Sequence, residues 1–262
     1  MIRRVHHVAA VVQDLEAGYA IWRDALGLPL VRETELADQG IRAALLAAGS
    51  CEIELLEPIR PDTGVARFRE SRGEGLHHLC FESDDVGRDL KRLAATGVTL
   101  IDARPRQGLA GLIGFIHPRS CASVLVELTT PTETAPLPEA PVAATVVHVA
   151  VEDVRGVVEM FQNLFGLAPR AAGGDGVVEL DGGAVAIQLA ALSRTHWRPG
   201  LAALGLSTAD LPALAERLGR HGVTTSAILG GLVATPAGTR QGSGGSGSPR
   251  RARRARPSRG SP

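Results

Sequence analysis

The residues best suited to chemistry in this chain are two His and two Glu that could together bind a divalent metal ion: His7, Glu54, His78 and Glu127. The two Glu lie in the apolar stretches 53–56 and 124–128, which have the pattern of buried strands. A buried ionised carboxylate is unfavourable unless a cation or hydrogen-bond donors compensate it. Taken singly, each residue has a simpler interpretation as a solvent-facing Glu or a core His. The repeat relation among all four favours a shared ion.

An internal repeat provides that relation. The His doublet at 6–7 recurs at 77–78, an offset of 71 residues, and each doublet is followed by an acid-plus-apolar pair and a helical stretch. Each copy closes with a strand that carries a carboxylate, Glu54 in the first and Glu127 in the second, at an offset of 73. One module thus supplies a His from its first strand and a Glu from its last. Two modules related by a pseudo-twofold axis would bring all four side chains together.

Each module has the pattern of one strand, one helix and three further strands. Asp14 and Asp85 are suited to cap the starts of the two helices, and Gly27 and Gly97 to end them. We therefore predict an α+β fold of paired βαβββ modules. The elements predicted for the first pair are strand 5–12, helix 14–26, three strands to about residue 58, a loop, strand 77–82, helix 85–96 and three strands to 129.

A third and a fourth copy follow without the candidate ligands. Residues 153–167 align without a gap on residues 14–28, and the alignment of the copies puts Val146, Gln188 and Ala203 at the places of the first three ligands. His148 lies two residues out of register and is interpreted as a core residue. The chain becomes Gly/Ser/Arg-rich where a counterpart of the fourth should stand. We predict a second domain without a metal site, which could cover the first, extend an interface or bind a small molecule.

Composition marks the boundaries between these parts. A Pro-rich segment after residue 130 is expected to be extended, and the C-terminal segment to be disordered. The predicted organisation is two tandem domains: a metal-binding domain (1–130), a Pro-rich linker (131–144), a degenerate domain of the same fold (145–240) and a Gly/Ser/Arg tail (241–262).

Composition also limits the class of protein. The chain has 262 residues, 44% of them hydrophobic, with 28 basic and 28 acidic residues, enough for two ordinary domains. It offers no run of 18 apolar residues and begins without the apolar core of a secretory signal, so we expect a cytoplasmic protein with no membrane partner. Three cysteines without CxxC spacing, Cys51, Cys80 and Cys121, are predicted to be buried free thiols.

The neutral net charge combines an acidic body with a basic tail. Residues 241–262 hold six Arg and no acidic residue, so residues 1–240 carry six more acidic than basic groups. An Arg cluster can mark contact with nucleic acid. This run has no interleaved aromatic residues, and the acidic body would repel nucleic acid. A nucleic-acid partner is therefore not expected.

Several stretches together resemble a known family. Paired βαβββ modules with His and Glu at these places are similar to the vicinal oxygen chelate superfamily, and residues 1–130 resemble methylmalonyl-CoA epimerases across nearly their whole length. No single stretch is specific, but the set is. The matching stretches are 38–41, 53–58, 73–82, 106–111, 117–120 and 124–128.

The resemblance implies a function and a set of site residues. Members of this family interconvert the (R) and (S) forms of an acyl-CoA substrate, methylmalonyl-CoA, by moving the alpha proton. Some relatives carry Gln at the place of Glu54, and some carry Glu where this chain has Ala43. The second acid/base group must then be another residue or a water. The metal ligands that the resemblance implies are His7, Glu54, His78 and Glu127.

The coordination chemistry of these four side chains agrees with this interpretation. Two imidazoles and two carboxylates suit a divalent cation such as Co, Mn, Ni or Zn and leave two coordination positions open. The carboxylate and thioester oxygens of the substrate could occupy both, and the cation would stabilise the enolate formed when the alpha proton leaves. We expect Glu127 to carry the proton on one face. The loop around Gly108 and Gly111 either closes on the substrate or is an ordinary turn.

Other functions on the same fold are also compatible with the sequence. A glyoxalase I-type lyase moves a proton within a glutathione hemithioacetal with a similar ligand set. A non-catalytic small-molecule binding protein would fit the altered second domain. An Fe(II) dioxygenase needs three open positions, and a fourth protein ligand at Glu54 argues against it. A homodimer is left open by the sequence.

Overall fold

The computed structural model describes residues 1–132, 135–173, 177–228 and 231–235. Its first part contains eight strands and three helices. The strands are β1 (Ile2–Val11), β2 (Leu30–Leu36), β3 (Ile41–Ala48), β4 (Cys51–Pro58), β5 (Gly75–Ser83), β6 (Arg106–Gln107), β7 (Gly111–Ile116) and β8 (Leu125–Pro131). The helices are α1 (Leu15–Tyr19), which continues as a π-helical segment (Ala20–Ala25), α2 (Gly64–Arg72) and α3 (Val86–Ala95).

All eight strands form one sheet in the order β2-β3-β4-β1-β5-β8-β7-β6. Two modules meet at its centre, where β1 and β5 are antiparallel, and each of these strands has the last strand of its own module as a parallel neighbour. The residue two positions after each candidate His pairs with the candidate Glu, Ala9 with Glu54 and Cys80 with Glu127. The paired βαβββ modules are therefore confirmed, and the two-residue difference between the offsets lies in the connections.

The helix boundaries follow the predicted caps. The side chains of Asp14 and Asp85 each accept a hydrogen bond from the backbone N–H three residues later, at 2.8 and 2.9 Å. Gly27 and Gly97 have φ of +77° and +82°, the left-handed conformation that ends a helix. Local chemistry thus fixes where each module turns from strand to helix and back.

Three segments differ from the prediction. Leu26 N–H donates to Ile21 O at 2.9 Å, five residues back, so the first helix ends as a π-helix. The segment after residue 58, predicted as a loop, contains α2, which begins where Thr63 Oγ1 accepts from Ala66 N at 2.9 Å. The segment 131–144 is not linker throughout, because Val142 is buried and starts the next strand.

The second part contains seven strands and two helices within the described residues. Five of these strands form one sheet, and the last two form a separate two-stranded sheet. The predicted tail 241–262 lies outside the described residues. The elements are β9 (Val142–Val151), α4 (Val154–Phe165), β10 (Pro169–Gly173), β11 (Val177–Leu180), β12 (Ala186–Ala191), β13 (Gly200–Thr208), α5 (Leu211–Arg220), β14 (Thr224–Ile228) and β15 (Gly231–Thr235).

One hydrophobic core joins the two parts. The rings of Phe81 on β5 and Phe165 on α4 lie 5.1 Å apart, and both side chains are buried. The opposite face of the first sheet carries a smaller apolar cluster that includes Ala9, Ala43 and Leu56. All three cysteines are free and buried, as predicted. Among the described residues, no helix has the length and apolar character needed to cross a membrane.

Candidate metal centre and active site

The four candidate ligands lie on four adjacent strands in the middle of the first sheet. His7 and His78 are on the central strands β1 and β5, and Glu54 on β4 and Glu127 on β8 flank them. Their relative exposures range from 0% to 6%. Because side chains alternate along a strand, and the next residue, Val8, packs in the main core, His7 points to the opposite face.

The polar atoms of the four side chains converge. His7 Nε2 lies 3.3 Å from His78 Nε2. Glu54 Oε2 lies 3.5 Å from His7 Nε2 and 3.3 Å from His78 Nε2. Glu127 Oε1 lies 3.7 Å from His7 Nε2, and Glu127 Oε2 lies 3.3 Å from His78 Nε2. The structure thus brings all four residues singled out from the sequence into one cluster.

Burial governs the ionisation of this cluster. It raises the pKa of Glu54 and, together with the charge of Glu54, raises that of Glu127 well above its ordinary value. Burial lowers the pKa of His7 well below 6.5 and that of His78 to about 3, so both imidazoles are neutral at neutral pH. Two adjacent buried carboxylates are unfavourable without a compensating positive charge. A cation among them would supply that charge.

The first His of each doublet contacts the second. His6 Nδ1 lies 2.9 Å from His7 Nδ1, and His77 Nδ1 lies 3.0 Å from His78 Nδ1. One nitrogen of each pair must donate and the other accept. When the candidate ligand donates through Nδ1, its Nε2 keeps a free lone pair directed at the Glu side chains. Sequence reasoning assigned no role to His6 or His77, although the doublet itself is the signal that identifies them.

The donor set fits a divalent cation. One donor atom from each of His7, Glu54 and His78 lies within 4.8 Å of the other two, and Glu127 contacts both His rings. Neutral imidazoles combined with carboxylates suit ions of borderline softness. These four residues would therefore hold such an ion.

A second buried group shares one of these His. Donor atoms of His6, His7 and Cys80 also lie within 4.8 Å of one another. The Cys80 thiol donates to Glu127 Oε1 at 3.4 Å, and burial raises its pKa well above 9.0. The thiol of this second group is thus hydrogen-bonded to Glu127, a member of the His and Glu cluster.

A cavity of about 620 Å³ lies beside the cluster. Glu54, His78 and Glu127 form part of its wall. The loop around Gly108 is a tight hairpin over the cavity, since its N–H donates to Gly111 O at 2.8 Å. A volume of this size is ordinary for a small-molecule site. Apolar residues that line it include Ile41, Leu56, Val65, Phe68, Ile113 and Phe115.

The cavity wall contains Arg106, a charged residue to which sequence reasoning assigned no role. Arg106 lies on β6, two strands away from Glu127 in the sheet, and belongs to a stretch noted only for its family resemblance. The local sequence gives no sign that this Arg faces a cavity, because β6 is only two residues long.

The second part of the chain keeps the register of the first but not its chemistry. His148 on β9 pairs with Gln188 on β12 and with Ala203 on β13. Ala9 stands in the same relation to Glu54 and His78 in the first sheet. The alignment of the copies is therefore correct at these positions, and Val146, two residues before His148, occupies the place of His7.

Comparison with known proteins extends the similarity to sequence families. Residues 6–116 match the model of the Glyoxalase/Bleomycin resistance protein/Dioxygenase superfamily. The ethylmalonyl-CoA/methylmalonyl-CoA epimerase of Cereibacter sphaeroides is 34% identical over 131 residues, which cover 49% of this chain and 98% of that protein. The mitochondrial methylmalonyl-CoA epimerase of Bos taurus is 31% identical over 127 residues, which cover 48% of this chain and 73% of the relative.

A solved structure extends the likeness of fold to both parts of the chain. A mutant of 4-hydroxymandelate synthase from Streptomyces coelicolor matches with a TM-score of 0.66 over 86% of this chain and 77% of its own, at 17% identity. At that identity the match shows the fold alone. The chain belongs to the glyoxalase/bleomycin resistance protein/dioxygenase superfamily, and its first half is similar to methylmalonyl-CoA epimerases.

Proposed function

We propose that this chain is an isomerase, a divalent-metal-dependent epimerase that interconverts (R)- and (S)-methylmalonyl-CoA. The observation that carries the proposal is the buried cluster of two His and two Glu at the wall of a largely apolar cavity. Relatives named as methylmalonyl-CoA and ethylmalonyl-CoA epimerases support a 2-carboxyacyl-CoA as the substrate.

The residues of the cluster are proposed to bind the ion, and the ion to polarise the substrate. His7, Glu54, His78 and Glu127 are proposed to hold the ion, which would supply Lewis acidity toward a substrate oxygen. Because the cluster is buried, fixed charges in it act on the substrate more strongly than they would in bulk solvent. The apolar cavity wall gives room for the acyl group beside them.

Epimerisation needs a proton carrier on each face of the alpha carbon. Glu127 is proposed for one face, because its carboxylate lies at the cavity wall and Cys80 Sγ holds Oε1 at 3.4 Å. On the strand next to Glu54, the methyl group of Ala43 cannot carry a proton. Exchange on the second face is therefore assigned to another residue or to a water.

The test is release of the alpha proton of methylmalonyl-CoA to solvent. Protein loaded with Co is expected to bind about one ion per chain and to exchange the proton, and chelation is expected to abolish both, because the cluster would then lack its positive charge. Readding the ion should restore exchange. His148→Ala, which removes a His outside the cluster, serves as the matched control and should retain metal and activity.

Other outcomes would point to other functions. Exchange that persists after complete removal of metal would refute the proposed metal dependence. Conversion of a glutathione hemithioacetal in the absence of exchange on methylmalonyl-CoA would identify a glyoxalase I-type lyase. Protein without bound cation, whose ligand affinity is unchanged by Glu127→Gln, would be a binding protein of the same fold.

A further inference from the structure

The guanidinium of Arg106, at the wall of the cavity, has one donor atom without a partner among the described residues. Arg106 lines the cavity, and although 36% of its side chain is exposed, its Nη1 is buried and has no hydrogen-bond partner within the described part of the chain. A buried donor on a charged group is unfavourable when it is left unpaired. A bound ligand with an anionic oxygen would remove that penalty.

The rest of the Arg106 side chain is held in place. Its Nε donates to Asp102 Oδ1 at 3.2 Å, and Asp102 Oδ2 accepts from Phe115 N at 3.0 Å. The guanidinium lies 5.4 Å from the centre of the Phe115 ring. Because Asp102 and Phe115 fix the orientation of the guanidinium plane, a ligand in the cavity would bind the guanidinium with little further ordering cost.

Arg106 lies at the end of the cavity that contains the His and Glu cluster, to which it is connected through Phe115. Phe115 pairs with Glu127 across β7 and β8, and its ring lies 5.1 Å from the ring of His78. One aromatic ring thus contacts both the guanidinium and a candidate metal ligand. Arg67, also in the cavity wall, has an exposed side chain and donates to the backbone oxygen of Asp62 at 3.0 Å. Of these two Arg, Arg106 is the one suited to an acyl group near the cluster.

We propose that Arg106 binds the free carboxylate of the 2-carboxyacyl group and makes the enzyme selective for acyl-CoA substrates that carry one. This inference rests on the proposed function. A guanidinium matches the planar geometry of a carboxylate and forms charge-assisted hydrogen bonds with it. An acyl-CoA that lacks the carboxylate would leave Nη1 unpaired and would be bound more weakly.

The test compares two ligands that differ in the carboxylate alone. The affinities of methylmalonyl-CoA and propionyl-CoA are measured by calorimetry for the metal-loaded wild type, Arg106→Gln and Arg67→Gln. The preference of the wild type for methylmalonyl-CoA is expected to fall about 10-fold to 100-fold in Arg106→Gln, with the propionyl-CoA affinity nearly constant. Arg67→Gln should shift both affinities by the same factor. Circular dichroism checks folding, and Arg106→Met, which keeps the packing on Phe115, replaces the Gln variant if that variant is unfolded.

The results separate the two proposals. An unchanged preference in the Arg106 variants, an equal loss of both affinities, or a wild type that binds the two ligands equally would overturn the role of Arg106 and leave the epimerase proposal standing. A wild type that binds neither acyl-CoA would overturn the epimerase proposal itself.

Discussion

Glu54 and Glu127 occupy equivalent positions in the two modules, but their proposed roles differ. Both are buried, and both contact His7 and His78 at 3.3 to 3.7 Å. Glu54 is proposed only to bind the ion. Glu127 is proposed to bind it and to carry the alpha proton as well. The pair therefore offers an internal comparison in which burial and contacts are nearly matched.

Amide substitutions should separate these two roles. Glu54→Gln keeps a carbonyl oxygen that can bind the ion, so we expect the variant to retain metal with reduced affinity and to retain proton exchange. Glu127→Gln is also expected to retain metal, but exchange should fall about 100-fold to 10,000-fold, because an amide does not carry the proton. Metal content and proton exchange measured on the same samples check both statements. Equal losses of exchange in the two variants would contradict the distinct role of Glu127.

Residue-scale prediction from sequence works where a repeat constrains it. Glu54 and Glu127 could be found because each recurs at the same place in a module, and the ladder pairs confirm that place. Arg106 has no counterpart that the repeat would reveal. Its importance depends on contacts with Asp102 and Phe115 that only the folded chain creates.

At the scale of elements, the β6–β7 hairpin approaches β8 most closely at Gly111. Gly111 has φ of +150°, and a Cβ at this position would lie 2.3 Å from the backbone oxygen of Thr130 on β8. Gly75, at the start of β5, has nearly the same φ, +148°, but a Cβ there would meet no atom within 4 Å. A side chain would therefore meet an unfavourable backbone conformation at both positions, but a clash with the neighbouring strand only at Gly111.

Alanine at these two glycines should separate strain from contact. Both substitutions place an L side chain at an unfavourable φ, which costs about 1–3 kcal/mol. Gly111→Ala must also push β7 away from β8, so its free energy of unfolding should be lower than that of Gly75→Ala by about another 1–3 kcal/mol. Urea unfolding monitored by circular dichroism measures the difference. Equal destabilisation would show that the hairpin does not depend on this close approach.

The elements that the sequence predicts well are those with local signals. Asp14 and Asp85 cap helices as their spacing indicates, because a side chain and a backbone N–H three residues later form the cap. The helix α2 was missed since none of its residues is buried, so it lacks the apolar stripe that marks a helix in sequence. The π-helical segment after Tyr19 is too short for its period to be distinguished from that of an α-helix.

At the scale of the whole molecule, the second part of the chain packs against the first. Val5 N donates to Gly182 O at 2.7 Å, and Arg92 Nη2 donates to Leu164 O at 2.8 Å. Both bonds lie beside the apolar contact between Phe81 and Phe165, because Val5 pairs with Phe81 and Leu164 precedes Phe165. Because a single core spans both parts, we expect the chain to unfold as one cooperative unit.

The two tryptophans of the chain allow that expectation to be tested, since Trp22 lies in the first part and Trp197 in the second. Phe165→Ala removes a buried ring from α4 and should cost about 3–5 kcal/mol. Phe165→Ala is measured in two backgrounds: in Trp197→Phe the fluorescence reports on the first part, and in Trp22→Phe it reports on the second. Phe165→Ala should lower the urea midpoint by the same amount in both backgrounds. Leu211→Ala, at a side chain that is 37% exposed, is the control and should shift neither midpoint appreciably. A shift confined to the Trp197 signal would show that the two parts unfold independently, and the shared core would then contribute little to the stability of the proposed metal site.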